Sequence, residues 1–303
     1  MNRREKMGIG KLKVVIAMLL FGSIGLMVKN IELTSSEIAL YRGVLGSLFL
    51  LIFSLFKKKK ISIAVLKSNA VPLLVSGAAI GLNWILLFEA YNYTTIANAT
   101  LSYYFAPVIV MIVSPFLLKE KLLPSKVVSI LVAMSGMFLI VGTGAQTTET
   151  YNHTVGIVYG LGAAILYASV ILINKFLKNL SSLESTMIQL MVASITLAPY
   201  VLFTRGFNLG AIAIQSIPYL IILGIVHTGL AYVLYFSAMQ TLKSQTVALL
   251  SYIDPVSAVI LSALFLGEAM NEVQIIGGVL ILGSTVIGGL KWPKKETAVI
   301  KEK

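Results

Sequence analysis

The segment from Gly81 to Glu120 recurs, without a gap, from Gly229 to Glu268. Thirteen of its forty positions are identical at an offset of 148 residues: Gly81, Leu82, Leu86, Phe88, Ala90, Leu101, Tyr104, Pro107, Val108, Ile112, Ser114, Leu118 and Glu120. Chance agreement in so apolar a chain is on the order of a tenth, so the second half reads as a copy of the first. A further match, at an offset of 146, pairs Phe21, Ser23 and Lys29 with Tyr167, Ser169 and Lys175. Whatever this chain folds into must therefore be made of two like units.

The units are built for lipid. With 57% hydrophobic residues, 12% charged residues and a mean hydropathy of +0.91, the chain has too few charges to cover a water-soluble globule of 303 residues. Ten apolar stretches follow one another: Leu12 to Val28, Ile38 to Phe56, Val71 to Ala90, Ala97 to Leu118, Val127 to Val141, Val155 to Ile173, Thr186 to Phe203, Ile217 to Met239, Val247 to Leu266 and Ile275 to Leu290. Most approach the roughly 20 residues that a helix needs to cross the hydrocarbon; the first, fifth and tenth run short. No stretch shows the alternating polarity of a barrel strand, so the spans are expected to be helices. Pro72, Pro124 and Pro218 fall at or near the first turn of a span, whereas Pro107, Pro115, Pro199 and Pro255 lie inside spans and are expected to kink them.

The expected fold is thus an all-α integral membrane protein of ten transmembrane helices in two five-helix repeats, 11–143 and 154–290, followed by a basic cytoplasmic tail, 291–303. Five is odd, so the halves face opposite ways across the bilayer, the inverted arrangement of secondary transporters. The net charge of +12 comes in short basic runs between spans, which suits a membrane surface rather than nucleic acid. With the N-terminus placed inside, twenty-one Lys and Arg are cytoplasmic, Lys57 to Lys60 among them; Lys29 and Arg205 are outside, and Arg42 lies in a span. That asymmetry puts both termini in the cytoplasm and the chain in the plasma (inner) membrane. The apolar N-terminal stretch is read as a retained helix rather than a cleaved signal. The absence of cysteine excludes thiolate metal sites and thiol catalysis.

Function is sought among groups that lipid would penalise. A charge at the bilayer centre costs at least about 2.5 kcal/mol, which singles out Arg42, Glu89, His227 and Asp254. Asp254 precedes Pro255 in Tyr252-Ile253-Asp254-Pro255, whereas the first copy reads Tyr104-Phe105-Ala106-Pro107, so the backbone does not require the acid. Asp254 is read either as a substrate or proton site or as an acid that satisfies the broken turn or pairs with a neighbour, and Glu89 either as such a site or as a group that reaches the outer interface. Arg42 is read either as an anion clamp or as the ion-pair partner of Glu37 or Glu89, and His227 as relay or buried core. Glu120 and Glu268, repeated at span ends, read as caps or partners of neighbouring helix ends. Asn83, Trp84, Tyr91, Tyr93, Asn98, Tyr103, Tyr104, Tyr232, Tyr235 and Tyr252 surround these charges; some belong to an interfacial belt and the deeper ones could stack on a small organic solute. No HExxH, GxSxG or Walker motif is present.

Pro107 with Leu117-Leu118-Lys119-Glu120, and Asp254-Pro255 with Leu264-Phe265-Leu266-Gly267-Glu268, resemble the EamA family of the drug/metabolite transporter superfamily, and the resemblance extends from about Lys11 to Leu290. Arg42 looks like an arginine common early in that family's second span, and the position of Asp254 often holds an acid. The resemblance implies a central cavity, alternating access, and export or uptake of small metabolites such as amino acids.

The expectation is therefore a non-enzymatic secondary exporter with no cofactor and no metal, whose partners are a small-molecule substrate, the lipid bilayer and protons as coupling ion. Its candidate substrate-binding or coupling residues are Arg42, Asn83, Trp84, Glu89, Tyr103, Tyr104, His227, Tyr232, Tyr252 and Asp254, with gating kinks at Pro107 and Pro255. The rivals are a lipid-carrier flippase or channel-like facilitator, an intramembrane enzyme in which Glu89, His227 and Asp254 converge, and a purely structural or signalling membrane protein.

Overall fold

The structure, a computed structural model, describes residues 3–56, 62–94, 96–142, 152–205, 212–266 and 271–289. Lys57 to Lys60, Glu268, most of the Gly142–Thr154 junction and the 291–303 tail lie outside the described residues. Among the described residues every regular element is helical. In chain order the apolar helices are α1 (Glu5–Val28), α2 (Ser35–Phe56), α3 (Ile63–Tyr93), α4 (Asn98–Leu118), α5 (Pro124–Leu139), α6 (His153–Phe176), α7 (Ser182–Thr204), α8 (Ile214–Thr241), α9 (Ser244–Phe265) and α10 (Glu272–Ser284). Eight are long and apolar enough to cross a membrane; α5 and α10 are shorter.

Two expected boundaries move. α1 is not short: its basic start joins the helix, and Lys13 donates from Nζ to Ser237 Oγ at 2.6 Å. α3 begins at Ile63 rather than Val71 and runs for 31 residues, so Pro72 stands well inside it instead of in its first turn. Asn69 fastens the extension: its Nδ2 donates to the Lys178 carbonyl and its Oδ1 accepts from the Lys178 amide, both at 2.9 Å. That tie holds the start of α3 against the turn between α6 and α7.

Packing follows the repeat. α3 lies along α6 and α7, and its counterpart α8 lies along α1 and α2; α4 rests on α6 as α9 rests on α1. α5 packs along α10, and α4 meets α9. Each of these pairs has its partner under an exchange of the halves, as an approximate two-fold axis between them requires. Close approach depends on small residues at equivalent places. A β-carbon at Gly81 would stand 2.7 Å from the Ala193 carbonyl oxygen of α7, and one at Gly229 would stand 3.2 Å from Phe49 of α2. Gly283, by contrast, faces nothing within 4 Å and has no such packing role.

Four of the long helices, α1 at Ser23 and α4, α8 and α9, are not continuous α-helix, which hydropathy does not register. α4 is broken between Tyr103 and Ala106 and α9 between Leu250 and Ile253. Pro107 and Pro255 therefore lie in the first turn of a restarted helix, where the missing N–H costs nothing. They mark breaks rather than kinks of an unbroken span. α8 carries a π-helical stretch, Leu223–Leu230, seated where Gly46 of α2 presses on it: a β-carbon at Gly46 would stand 2.9 Å from the Gly224 carbonyl oxygen and 3.1 Å from the Gly229 nitrogen. A π-bulge of this kind often lies near a functional position.

Candidate functional site

A cavity of about 340 Å³ lies between the halves. α1 contributes Phe21 to Leu26 with Ser23 excepted, α2 contributes Arg42, and α3 contributes Asn83, Trp84, Leu87, Phe88 and Tyr91. α4 adds Thr100, Tyr103 and Tyr104; α6 adds Tyr167; α8 adds Tyr232; α9 adds Ser251, Asp254 and Ala258. Tyr104 and Asp254 stand on this wall at the breaks in α4 and α9.

Arg42 supplies the cation. Its guanidinium carbon sits 4.8 Å from the centroid of the Trp84 ring, a stacking worth about 2 kcal/mol where water is excluded. Its Nε is buried and has no hydrogen-bond partner. Neither expected ion pair forms: Glu37 accepts from the Thr34 amide at 2.9 Å and the Thr34 hydroxyl at 2.6 Å, and Glu89 accepts from the Tyr200 hydroxyl and from Asn92 Nδ2. A desolvated guanidinium left with an unspent donor suits an incoming anion.

Asp254 supplies the anion. It opens the first turn of the Ile253–Leu266 segment, where the helix dipole favours negative charge, and its Oδ2 accepts from the Tyr104 hydroxyl at 3.0 Å. Tyr104 is held in turn, since the Tyr252 hydroxyl donates to its carbonyl at 2.9 Å and the two rings stack at 6.2 Å. Tyr104 and Tyr252 are repeat partners, so they meet on the two-fold axis.

Aromatic rings fill the wall between the charges. Phe21 meets Tyr232 edge-on at 5.2 Å, and Tyr103 stacks on Tyr167 at 5.5 Å. The Tyr167 hydroxyl lies 2.6 Å from that of Tyr235, which lies 2.9 Å from Ser251 Oγ. Asn83 is spent structurally on its donor side, giving Nδ2 to the Ala163 carbonyl at 2.6 Å.

Of the sequence candidates, Arg42, Asn83, Trp84, Tyr103, Tyr104, Tyr232 and Asp254 are brought together here. Glu89, His227 and Tyr252 are not on the wall. Glu89 is held by Tyr200. His227 is buried in the π-helical stretch of α8, 2.9 Å from Ser23 Oγ and 3.3 Å from the Ile222 carbonyl, and Tyr252 is buried behind Tyr104. The three ionisable groups an intramembrane enzyme would need to converge thus bond to three different partners. Among the described residues no cluster of metal-ligating side chains occurs. Phe21, Tyr167 and Ser251 escaped the shortlist. Phe21 and Tyr167 are repeat partners, and that pairing was the available signal, since a wall built around a two-fold axis draws on the same position twice.

Comparison with known proteins follows the same division. A profile described as the EamA-like transporter family matches the chain twice, over residues 8–142 and 154–288. The chain is 31% identical over 283 residues to the uncharacterized transporter YxxF of Bacillus subtilis (strain 168), covering 91% of this chain and 88% of that one. It is 27% identical over 291 residues to the uncharacterized inner membrane transporter YicL of Salmonella typhimurium, covering 92% and 94%. A crystal structure of a protein only 17% identical superposes with a TM-score of 0.81 over 93% of this chain and 98% of that one, so the fold is shared.

Proposed function

Since the chain belongs to the EamA-like transporter family, we propose that it is a secondary transporter of the plasma membrane that exports small organic metabolites such as amino acids by alternating access. The observation that carries this reading is one cavity shared by both repeats, in which Arg42 and Asp254 stand on an aromatic wall. A solute bearing a carboxylate and an ammonium group matches both charges: the carboxylate takes the free donor of Arg42, the ammonium takes Asp254, and the apolar remainder lies against Tyr and Trp faces. In support of this reading, the cavity is lined by both repeats, and inverted-repeat transporters bind cargo at such an interface. Asp254, able to carry or release a proton, is the coupling group of this reading, and the breaks before Pro107 and Pro255 are its moving joints. The inner-membrane designation of the Salmonella relative supports the compartment.

A thermal-shift screen of amino acids and other small zwitterions on purified protein identifies the cargo, because a ligand that binds only the folded state raises its stability. Flux of that cargo in proteoliposomes then tests the residues. Asp254→Asn is expected to slow transport about tenfold and to flatten its dependence on pH; unchanged flux and an unchanged pH profile in both Asp254→Asn and Arg42→Ala remove the pair from the mechanism.

A further inference from the structure

The cavity has one closed end, and that end is tied shut across the halves. Phe21, Tyr91 and Thr100 on its wall lie toward the C-terminal ends of α1 and α3 and the start of α4, whereas the Ser244–Leu250 segment of α9 contributes nothing to it; Ser244, Gln245, Val247, Ala248 and Leu249 are all buried. This is the end at which α1 begins, for a β-carbon on Gly10 would stand 2.7 Å from the Thr241 hydroxyl.

We propose that Glu120, at the end of α4 in the first repeat, is the latch that closes this end by holding the start of α9 in the second. Its Oε1 accepts from the Ser244 amide at 2.9 Å and its Oε2 from the Gln245 amide at 3.4 Å, so the carboxylate caps the two leading N–H groups of the helix. Two further bonds join the same halves beside it: Lys126 Nζ to Thr246 Oγ1 at 2.6 Å, and Gln245 Nε2 to Ser114 Oγ at 3.1 Å.

The helix ends just before this contact in a left-handed cap. Lys119, immediately before Glu120, adopts the left-handed conformation with φ of 53°, which side-chain-bearing residues adopt rarely. The second copy has glycine, Gly267, at this position, a residue type that adopts the left-handed conformation at no steric cost. The Lys119 and Glu120 amides both turn back to the Ser114 carbonyl, and this cap aims the Glu120 side chain at α9.

The geometry also connects latch to site. The Ser244–Leu250 segment carries the capped amides at one end, and at the other it runs directly into Ser251 on the cavity wall, three residues before Asp254. A short helical rod thus runs from the latch to Ser251 at the break, so displacement of Ser251 by cargo pulls on the bonds to Glu120. Two polar atoms at the latch, Ser244 Oγ and Gln245 Oε1, are buried without partners; they gain water when this end opens, which lowers the cost of breaking the cap. This inference rests on the alternating-access reading, but its test needs no transported solute.

The chain has no cysteine, so a single engineered thiol reports access cleanly. Val247→Cys, buried in the closed end, is expected to resist a membrane-impermeant maleimide in the otherwise unaltered protein in vesicles. Combined with Glu120→Ala it is expected to label at least tenfold faster from the face carrying the N-terminus, while Ala258→Cys on the cavity wall labels more slowly from the opposite face. Ser244→Pro gives an independent break: it deletes one capped N–H at the first helical position, where proline is tolerated, and the preceding Lys243 already has a compatible backbone (φ −67°, ψ 145°). The same acceleration is expected in it. Lys119→Gly, which relaxes the turn but keeps the carboxylate, is expected to leave both thiols as they were. If Val247→Cys stays shielded in Glu120→Ala and in Ser244→Pro, each still melting cooperatively, Glu120 is not the latch.

Discussion

The two repeats use one backbone plan and spend their polar residues differently. Both break a span just before a proline, at Tyr104-Phe105-Ala106-Pro107 and at Tyr252-Ile253-Asp254-Pro255, and both put a tyrosine on the break. The second repeat places Asp254 where the first has Ala106. The first places Arg42 on the cavity where the second has Gln189, which is buried and exchanges hydrogen bonds with Asn174 at 3.1 and 3.3 Å. Each half thus supplies one charge to a shared chamber. Where the copies agree they build the frame, and where they differ they build the chemistry, because a two-fold site with identical halves would present two like charges to one another.

This contrast can be broken at several points. The largest effect is expected for Arg42→Ala, which removes both the guanidinium–Trp84 stack and the anion donor; a loss of about 3 kcal/mol corresponds to roughly a hundredfold in cargo affinity, read by ligand titration. Arg42→Lys is expected to recover little of it, since an ammonium lacks the planar face that lies on Trp84. Next comes Ala106→Asp, which makes the breaks alike. Ala106 is fully buried, and the Tyr252 hydroxyl is already committed to the Tyr104 carbonyl, so the new acid is expected to cost at least about 2.5 kcal/mol, seen as a fall in melting temperature in detergent or lipid.

Glycine partners sharpen the comparison. Gly81→Ala is expected to destabilise by about 2 kcal/mol, because its β-carbon meets a backbone carbonyl. Gly229→Ala is expected to cost less than about 1 kcal/mol on the same melting assay, because its nearest neighbour is a ring carbon of Phe49 at 3.2 Å and the backbone stands no nearer than 3.4 Å. A modest effect is expected for Tyr104→Phe, which deletes one hydrogen bond to Asp254 and keeps the ring stack on Tyr252; about 1 kcal/mol, roughly fivefold in cargo affinity, with the melting temperature nearly unchanged.

Much of this was legible in the sequence. The apolar stretches locate the helices, and the repeated proline-to-glutamate spacing locates the breaks, though the prolines read as kinks because hydropathy cannot tell a bent helix from one that stops and restarts. Arg42 and Asp254 stood out by their cost in lipid, and both lie on the cavity. Glu89 and His227 stood out by the same rule and do not, for each found a neighbour: Tyr200 for one, Ser23 and the Ile222 carbonyl for the other. Burial cost shows that a polar group needs a partner without saying whether that partner is cargo or another side chain.

The sequence by itself determined that this is a helical membrane protein in two like halves, since chain hydropathy and internal repetition are properties of composition and order alone. Only the tertiary structure decided which polar residues share a chamber, why α8 carries a π-helical stretch against Gly46, and that Glu120 ends on the amides of Ser244 and Gln245. The reason is geometric. Successive helix residues point about 100° apart, so which way a side chain faces is set by the neighbours against which the helix rotates and packs, and those neighbours lie on other helices, far away in the chain.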